Sequence, residues 1–210
     1  MADAQTHTMA SLKAEGLQCT RCDLYQSGTP VVWGEGNIDA RVMLIGQGPG
    51  EQEAKRGRPF IGPAGKMLDQ ALGAANIDRG KLWITNAIKH WSTTRNERGT
   101  LVNRAPKVGE INACRVWWEN EVAIIKPQIL VCIGGPAAQA VIDKKFQITK
   151  QRGQWFAGPN GEAVIATLHP SYLIRLQAVD QAAFERAWQQ VTDDLNLVVA
   201  RANELGITLQ

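Results

Sequence analysis

Four short apolar runs constrain the fold of this 210-residue chain more than any other feature of its sequence. Each run ends at a glycine, an asparagine or a histidine, and they span residues 41–45, 82–85, 129–133 and 163–168. The runs are continuous rather than alternating, which is typical of strands that are buried on both faces of a parallel sheet. The sequence therefore predicts four central, mostly parallel strands.

Apolar residues at helical spacing lie between these predicted strands. The candidate helices span residues 64–75, 109–125, 136–142 and 182–205. Strands that alternate with helices form βαβ units, which place helices on both faces of a parallel sheet. We therefore expect an α/β fold, a three-layer sandwich with a central, mostly parallel four-stranded sheet and helices on both faces.

The chain length suits one ordinary domain of this kind. We assign residues 1–210 to a single domain, in which residues 1–10 are expected to be disordered. Residues 92–109 form the longest polar and irregular stretch, and they are predicted to be a long loop. Loops of that length often carry function.

Composition excludes several classes of protein. Hydrophobic residues make up 44% of the chain, which is enough for a sizeable core and excludes disorder of the whole chain. No apolar run approaches the length that spans a bilayer, and the first ten residues show no secretory signal. We therefore expect a cytoplasmic protein without membrane contact, and we expect it to be a monomer. The formal net charge of +3 permits a nucleic-acid partner without proving one.

Glycine-rich or polar segments follow each predicted strand. Residues 46–50, 86–90, 134–136 and 169–171 each begin where a predicted strand ends. In open parallel sheets the ligand binds outside the carboxyl ends of the strands. We therefore expect these four segments to converge on one edge of the sheet.

The first of these segments reads Gly46-Gln-Gly-Pro-Gly50. Glycines such as Gly46 and Gly48 let the backbone approach a ligand and direct its N–H groups at an acceptor. The segment lacks the lysine and Ser/Thr pair of a phosphate-binding loop and the spacing of a dinucleotide fingerprint. An ordinary strand-to-helix turn is the alternative interpretation.

Three side chains near this edge are candidates for binding a flat polar ligand. The ring of Phe60 lies in a segment rich in glycine and proline, where it would stack on such a ligand or pack into the core. The Asn86 amide donates and accepts in one plane, which suits the edge of a nucleobase, although a strand-end cap is the alternative. His169 would donate a hydrogen bond to a developing negative charge, and a structural role is its alternative.

Cysteine and histidine residues are candidate metal ligands. Cys19 and Cys22 form a C-x-x-C pair, which by itself fits a redox dithiol or half of a zinc site. Cys114 lies on a predicted helix after a loop. His90 follows the second strand, and it is either a fourth ligand or a histidine on the surface or beside the ligands. Cys132 lies within an apolar strand and is expected to be part of the core.

Seven segments, taken in their order along the chain, form a specific constellation. They are Cys19-x-x-Cys22, Gly46-Gln-Gly-Pro-Gly-Glu51, Gly57-Arg-Pro-Phe-Ile-Gly-Pro-Ala-Gly65, Thr85-Asn-Ala-Ile-Lys-His90, Ala113-Cys114-Arg115, Arg152-Gly153 and His169-Pro-Ser171. Together they resemble the uracil-DNA glycosylase superfamily, and within it the iron–sulfur family 4 enzymes and their relative UdgX. The resemblance extends from Cys19 to about Arg175.

This resemblance implies a cofactor, a reaction and a set of site residues. It implies a [4Fe–4S] cluster held by Cys19, Cys22, His90 and Cys114. It implies a DNA repair enzyme that flips uracil out of DNA, hydrolyses its N-glycosidic bond and leaves an abasic site.

The resemblance also implies how the site residues act on uracil-containing DNA. Phe60 would stack on the base, and Asn86 would bind its polar edge. His169 and backbone N–H groups near Gln47 would stabilise the uracil anion that leaves. Gly46 and Gly48 would also contact the substrate, and Arg175 would bind a phosphate. Leu173 or Tyr172 would fill the gap that the flipped base leaves in the stack.

Two departures from the family pattern bear on the activity expected of this chain. Family 4 and UdgX carry glutamate where this chain has Gln47, and an amide orients a water but does not take its proton. UdgX has a histidine that bonds covalently to DNA in a loop whose counterpart here ends at Asn103, so we expect no covalent adduct. The alternative function is a weakly active or non-catalytic protein that binds uracil or damaged DNA. A third hypothesis is an iron–sulfur or zinc protein that binds a small nucleotide.

Overall fold

A six-stranded sheet lies at the centre of the computed structural model, which describes residues 8–210. The strands in these residues are β1 (Glu35–Gly36), β2 (Val42–Gly46), β3 (Leu82–Asn86), β4 (Thr93–Arg95), β5 (Leu101–Asn103), β6 (Ile129–Ile133), β7 (Trp155–Ala157) and β8 (Ala163–Thr167). The central sheet has the order β1-β3-β2-β6-β8-β7, and β4 pairs with β5 in a separate hairpin. The four inner strands β3, β2, β6 and β8 are parallel.

The sheet has more than the predicted four strands because a short strand is added at each edge. β1 has two residues and pairs antiparallel with β3, and β7 has three residues and pairs antiparallel with β8. Strands of two or three residues are too short for an apolar pattern to reveal them. The α/β class, the mostly parallel sheet and the four predicted strands are confirmed.

Helices pack on both faces of this sheet. The α-helices in residues 8–210 are α1 (Met9–Gly16), α2 (Glu51–Arg56), α3 (Pro63–Ala74), α4 (Val108–Ile125), α5 (Gly135–Val141), α6 (Ile148–Gln151), α7 (Pro170–Val179) and α8 (Gln181–Glu204). Leu44 and Val131 of the sheet share one apolar cluster with α3, α7 and α8. Met43 and Leu130 share a second cluster with α4 and α5. Because neighbouring strand residues point to opposite faces, the two clusters lie on opposite sides of the sheet.

The four predicted helices agree with α3, α4, α5 and α8 to within one residue at each end. The prediction of disorder for residues 1–10 is wrong for residues 8–10, because the Thr8 side chain caps the first turn of α1. Residues 1–7 of that prediction lie outside the described residues. None of the helices in residues 8–210 is both long and apolar enough to span a bilayer.

The prediction that residues 92–109 form an irregular loop is wrong. The β4–β5 hairpin occupies most of this stretch, and α4 begins at Val108. Asn96 builds the hairpin turn, since its side-chain oxygen accepts hydrogen bonds from the N–H groups of Arg98 and Thr100. Each strand has only three residues, and the apolar pair Leu101-Val102 is too short to indicate a strand.

A fully buried ion pair joins the segment after β3 to α4. Lys89 Nζ donates to Glu121 Oε2 over 2.7 Å, and both side chains are at most 1% exposed. The Thr85 hydroxyl donates to the same oxygen and accepts from Lys89, and the N–H of Gly34 donates to the other oxygen. These bonds fix both ends of the segment that contains Asn86.

Lys89→Met is expected to destabilise the fold by about 3–5 kcal/mol, because it leaves the Glu121 carboxylate buried without its cation. Replacing both partners, in Lys89→Met/Glu121→Leu, is expected to recover most of that loss, since no buried charge then remains. Chemical denaturation of the wild type and the two variants measures the free energies of unfolding. A double variant no more stable than the single variant would contradict this account of the pair.

Candidate functional site

A cavity of about 880 Å³ lies where the parallel strands end. Its lining includes Gln47, Pro136 and His169, which lie one to three residues after β2, β6 and β8, together with Asn86 at the end of β3. The β4–β5 hairpin and the first turns of α7 complete the wall. The predicted convergence of the strand-end segments is therefore confirmed.

Gly46, at the end of β2, allows the Phe60 ring and the Asn86 amide to approach each other. A Cβ atom at position 46 would lie less than 3.0 Å from both Phe60 Cζ and Asn86 Oδ1. Contacts that short are strongly repulsive, so only glycine leaves room for both side chains. These three predicted site residues are therefore neighbours in the fold.

The Phe60 ring borders the cavity and also belongs to the core. It is 6% exposed and packs in the apolar cluster of α3 and α8. Its centre lies 6.2 Å from that of the His169 ring, with 32° between the two planes. The structure therefore confirms that Phe60 packs in the core, and its stacking on a flat ligand stays a prediction.

His169 is the N-cap residue of α7. Its Nδ1 accepts a hydrogen bond from the N–H of Ser171 over 3.1 Å. Since Nδ1 is the acceptor, the proton of the neutral ring is on Nε2. Burial, assisted by the positive charge of Arg175, lowers the pKa of His169 to about 4, while the negative charge of Glu53 acts in the opposite direction. At pH 7 the ring is therefore a neutral hydrogen-bond donor on the cavity wall.

Two buried side-chain polar atoms on the cavity wall have no hydrogen-bond partner among the described residues. They are Oδ1 of Asn86, whose side chain is 2% exposed, and Oγ of Ser92. A buried polar atom without a partner costs about 1–3 kcal/mol. A ligand that donates a hydrogen bond to Asn86 would recover that free energy.

The glycine-rich loop contributes Gln47 and Gly48 to the lining. The carbonyl of Gln47 accepts a hydrogen bond from the N–H of Ile88, which attaches the loop to the segment after β3. A Cβ atom at position 48 would meet Ile88 only at an ordinary contact distance of 3.5 Å. Packing alone therefore does not require glycine at position 48.

The start of α7 contributes Tyr172 and Arg175, and both side chains are exposed. The Arg175 guanidinium lies 5.9 Å from the centre of the Tyr172 ring. Of the two side chains predicted to fill the base stack, Leu173 does not fit, because its side chain is 1% exposed and packs with α3 and α8, whereas Tyr172 stays a prediction. Both residues lie in α7, where neighbouring side chains point in different directions, so Leu173 faces the core and Tyr172 faces outward.

Asn103, at the end of β5, lies on the hairpin side of the cavity. Its Oδ1 accepts a hydrogen bond from the indole N–H of Trp91. The next residue, Arg104, binds the carboxylate of Glu110 through two guanidinium nitrogens. Because Glu110 lies one turn before Cys114 on α4, the ion pair attaches the hairpin to the start of that helix.

Three predicted cysteine ligands lie together beside α4. A hydrogen bond between the Cys22 and Cys114 thiols lowers the pKa of Cys22 to about 6. The same bond, together with burial, raises the pKa of Cys114. Cys19 and Cys114 are part of one apolar cluster, against which Cys22 packs. The indole N–H of Trp117 donates to Cys19 Sγ over 3.2 Å.

His90, the fourth predicted ligand, is 4% exposed, which excludes the surface histidine that the sequence left open. Burial lowers its pKa, and its Nδ1 has no partner among residues 8–210. It follows Lys89, whose backbone bonds to the Cys114 thiol. Within the same residues, no three His, Cys, Asp or Glu side chains are arranged to hold a single metal ion. Cys132 is fully buried in β6, as predicted.

Sequence reasoning missed Glu53 and Trp91, which also line the cavity. Glu53 lies three residues after Gly50, the N-cap of α2, and accepts a hydrogen bond from its N–H, but a glycine N-cap lacks the side-chain oxygen that makes this spacing recognisable as a capping box. Trp91 directly follows a candidate ligand, and nothing in the sequence distinguishes it from a core tryptophan.

The free energy of unfolding is expected to fall as the pH is lowered from 6.5 to about 4. In this range unfolded His169 takes up a proton that the folded protein does not bind. The loss amounts to at most about 3 kcal/mol for this residue. His169→Gln removes the titrating group, so the variant should lose less stability over the same range. Denaturant unfolding at several pH values measures both proteins, and equal losses would contradict the lowered pKa.

Comparison with known proteins relates the chain to one family. The model of the uracil DNA glycosylase superfamily matches residues 33–192. The chain is 40% identical to the type-4 uracil-DNA glycosylase of Thermotoga maritima over 159 residues, which are 75% of this chain and 79% of that protein. It is 34% identical to the type-4 uracil-DNA glycosylase of Sulfurisphaera tokodaii over 172 residues, which are 78% of this chain and 74% of that protein.

A solved structure shows the same fold. The crystal structure of wild-type SMUG2 from Pedobacter heparinus superposes with a TM-score of 0.54 over 79% of this chain and 77% of that chain, at 14% identity. The family match spans every strand of the central sheet, together with Phe60, Asn86 and His169. The chain therefore belongs to the uracil-DNA glycosylase superfamily.

Proposed function

We propose that this protein is a uracil-DNA glycosylase, which binds a uracil nucleotide flipped out of DNA, hydrolyses its N-glycosidic bond and leaves an abasic site. The observation that carries the proposal is the meeting of the Phe60 ring, the Asn86 amide and the His169 imidazole around one cavity. The family and the two type-4 relatives support it. The monomeric state and the cytoplasmic location stay predictions.

Phe60 and Asn86 would recognise the extruded base. The ring offers a flat apolar surface on which a pyrimidine stacks. The unpartnered Oδ1 of Asn86 would accept from the N3–H of uracil, while its NH2 group donates to the neighbouring carbonyl oxygen. Stacking on Phe60 uses the face of the base, and the bonds to Asn86 use the edge that pairs within a duplex, so the nucleotide has to leave the helix before it binds.

His169 would stabilise the leaving group. The C1′–N1 bond breaks, its electron pair stays with the base, and the sugar becomes cationic. The negative charge of the base extends to its O2 atom, to which the Nε2–H of a neutral imidazole donates. A water molecule then adds to C1′ and loses a proton to solvent.

Gln47 determines how that water is handled. Its amide holds a water by hydrogen bonds but does not accept the proton. The rate would therefore depend mainly on stabilisation of the leaving group, and we expect low activity. This residue favours the alternative function, a weakly active or non-catalytic protein that binds uracil or damaged DNA.

An excision assay on the wild type, Gln47→Glu and His169→Ala tests the proposal. Each protein is incubated with single- and double-stranded oligonucleotides that contain one uracil, and alkaline cleavage detects abasic sites. We expect the wild type to release uracil, Gln47→Glu to be faster by about 10²-fold, and His169→Ala to be slower by about 10²–10³-fold. No covalent adduct is expected on a denaturing gel, because the Asn103 amide is not a nucleophile.

Two other outcomes of this assay decide between the hypotheses. Uracil-dependent binding by the wild type without excision, with excision gained in Gln47→Glu, would favour the alternative function. Neither binding nor excision by any of these proteins would contradict both functions.

We also propose that Cys19, Cys22, His90 and Cys114 hold a [4Fe–4S] cluster. The fit rests on the thiols gathered beside α4 and on the buried, unpartnered Nδ1 of His90. Iron–sulfur clusters are bound by thiolates, and histidine replaces cysteine in some of them. When bound, the cluster would cross-link the N-terminal segment, the segment after β3 and α4, which is a structural role.

Iron analysis of the purified protein tests this assignment. We expect a brown protein with about four iron atoms per chain, and a large loss of iron in Cys114→Ala and His90→Ala. Cys132→Ala is the matched control, because that thiol is buried in β6 and should leave the iron content unchanged. A colourless, iron-free wild type that still excises uracil would contradict the ligand assignment.

A further inference from the structure

The carboxylate of Glu53 connects two loops that border the cavity. Its Oε2 accepts a hydrogen bond from the N–H of Gly50 over 3.1 Å. Its Oε1 accepts from the N–H groups of Ile61 over 3.2 Å and Gly62 over 2.7 Å. The side chain is 8% exposed. One residue therefore binds both the glycine-rich loop and the loop that carries Phe60.

The same three bonds join the starts of two helices. Gly50 is the N-cap of α2 and Gly62 is the N-cap of α3, and as glycines they offer no side-chain oxygen to the first turn. The first N–H groups of a helix have no partner within it, and they favour a negative charge. Glu53 supplies one carboxylate to both helix starts, and bonds of this charge-assisted kind are stronger than neutral ones.

Phe60 depends on this arrangement because its backbone is strained. Its φ of 51° lies in the left-handed region, which is unfavourable for a residue with a bulky side chain. A Cβ atom on Gly65 would lie less than 3.0 Å from the Phe60 carbonyl, so α3 packs directly on the backbone of residue 60. Glu53 holds the next two residues. The strained residue is therefore held by packing and by the carboxylate.

We propose that Glu53 is a positioning residue that fixes the Phe60 ring at the distance from the glycine-rich loop that an extruded pyrimidine requires. The inference rests on the proposed function, which places a base against this ring. Glu53 acts through backbone N–H groups of the two loops, and it does not need to touch the base.

The negative charge of Glu53 also acts on His169, and the experiment has to distinguish this effect from the effect on Phe60. The charge raises the pKa of His169, against the larger effect of burial. An effect transmitted through the Phe60 ring disappears when the ring is absent, whereas an electrostatic effect on His169 does not. A double-mutant cycle with Phe60→Leu therefore distinguishes the two routes.

Glu53→Gln keeps the size of the side chain but replaces one acceptor oxygen with an NH2 group, which cannot accept a hydrogen bond from the backbone. We expect KM for a single-stranded oligonucleotide containing uracil to rise about tenfold. We expect kcat to change by less than about threefold, because the stacked ring contributes mainly to binding. In the Phe60→Leu background, Glu53→Gln should change KM by less than about twofold.

Two further variants keep the test decisive. Glu53→Asp retains the charge but is too short to reach from Gly50 to Gly62, so it should also raise KM; it replaces Glu53→Gln if that variant does not fold. Glu162→Gln is the matched control, because Glu162 is another buried carboxylate that accepts a backbone hydrogen bond, from the N–H of Asn160. It precedes β8, at the opposite end of that strand from His169, and should leave KM and kcat unchanged.

Crystal structures of the wild type and the Glu53 variant decide the inference whether or not the protein excises uracil. A displaced Phe60 ring, with φ outside the left-handed region, would support it, and an unmoved ring would overturn it. Equal increases of KM with and without the Phe60 ring would also overturn it. A wild type that does not excise uracil contradicts the proposed function alone.

Discussion

The parallel register of the four inner strands is the constraint on which the site depends. β2, β3, β6 and β8 run in one direction, so the chain leaves all four at the same edge of the sheet. Gln47, Asn86 and His169 therefore line one cavity although long stretches of sequence separate them. The two apolar clusters hold the strands rigidly from both faces, and this rigidity is passed to loops that have no core of their own.

Buried carboxylates attach the irregular segments to this frame. Glu53, Glu110 and Glu121 each lie on a helix, and each accepts several hydrogen bonds from a loop or hairpin that approaches it. The hydrogen bonds of these carboxylates do for the loops what backbone hydrogen bonds between strands do for the sheet, because buried N–H groups of loops also need partners. The ion pairs of Glu110 and Glu121 differ from exposed pairs such as Lys55–Glu51 in the cost of breaking them, because loss of an exposed pair leaves no buried charge behind.

The parts of the fold that burial shapes could be predicted from the sequence. β6 was predicted with both ends correct because its five residues are all buried and apolar. The β4–β5 hairpin could not be predicted, since each of its strands has only three residues. The direction of Leu173 depends on how α7 packs; Pro170 is a signal for a helix start, but it does not indicate which residues of the helix face the core. Asn86 and His169 were identified by their position after strands, whereas the role of Glu53 arises from N–H groups eight and nine residues away, which leave no pattern.

His169 illustrates how structure and chemistry are combined at this edge. The bond from the Ser171 N–H to Nδ1 begins α7, selects the tautomer with a proton on Nε2 and orients the ring. A protonated ring would lose this bond, because Nδ1 could no longer accept, so burial and helix capping favour the same neutral state. For the proposed reaction, a fixed neutral donor stabilises the leaving base without giving up its proton. Gln47 adds no base to take a proton from water. A change at position 47 should therefore alter the rate of hydrolysis while Phe60 and Asn86 continue to determine which base the cavity binds.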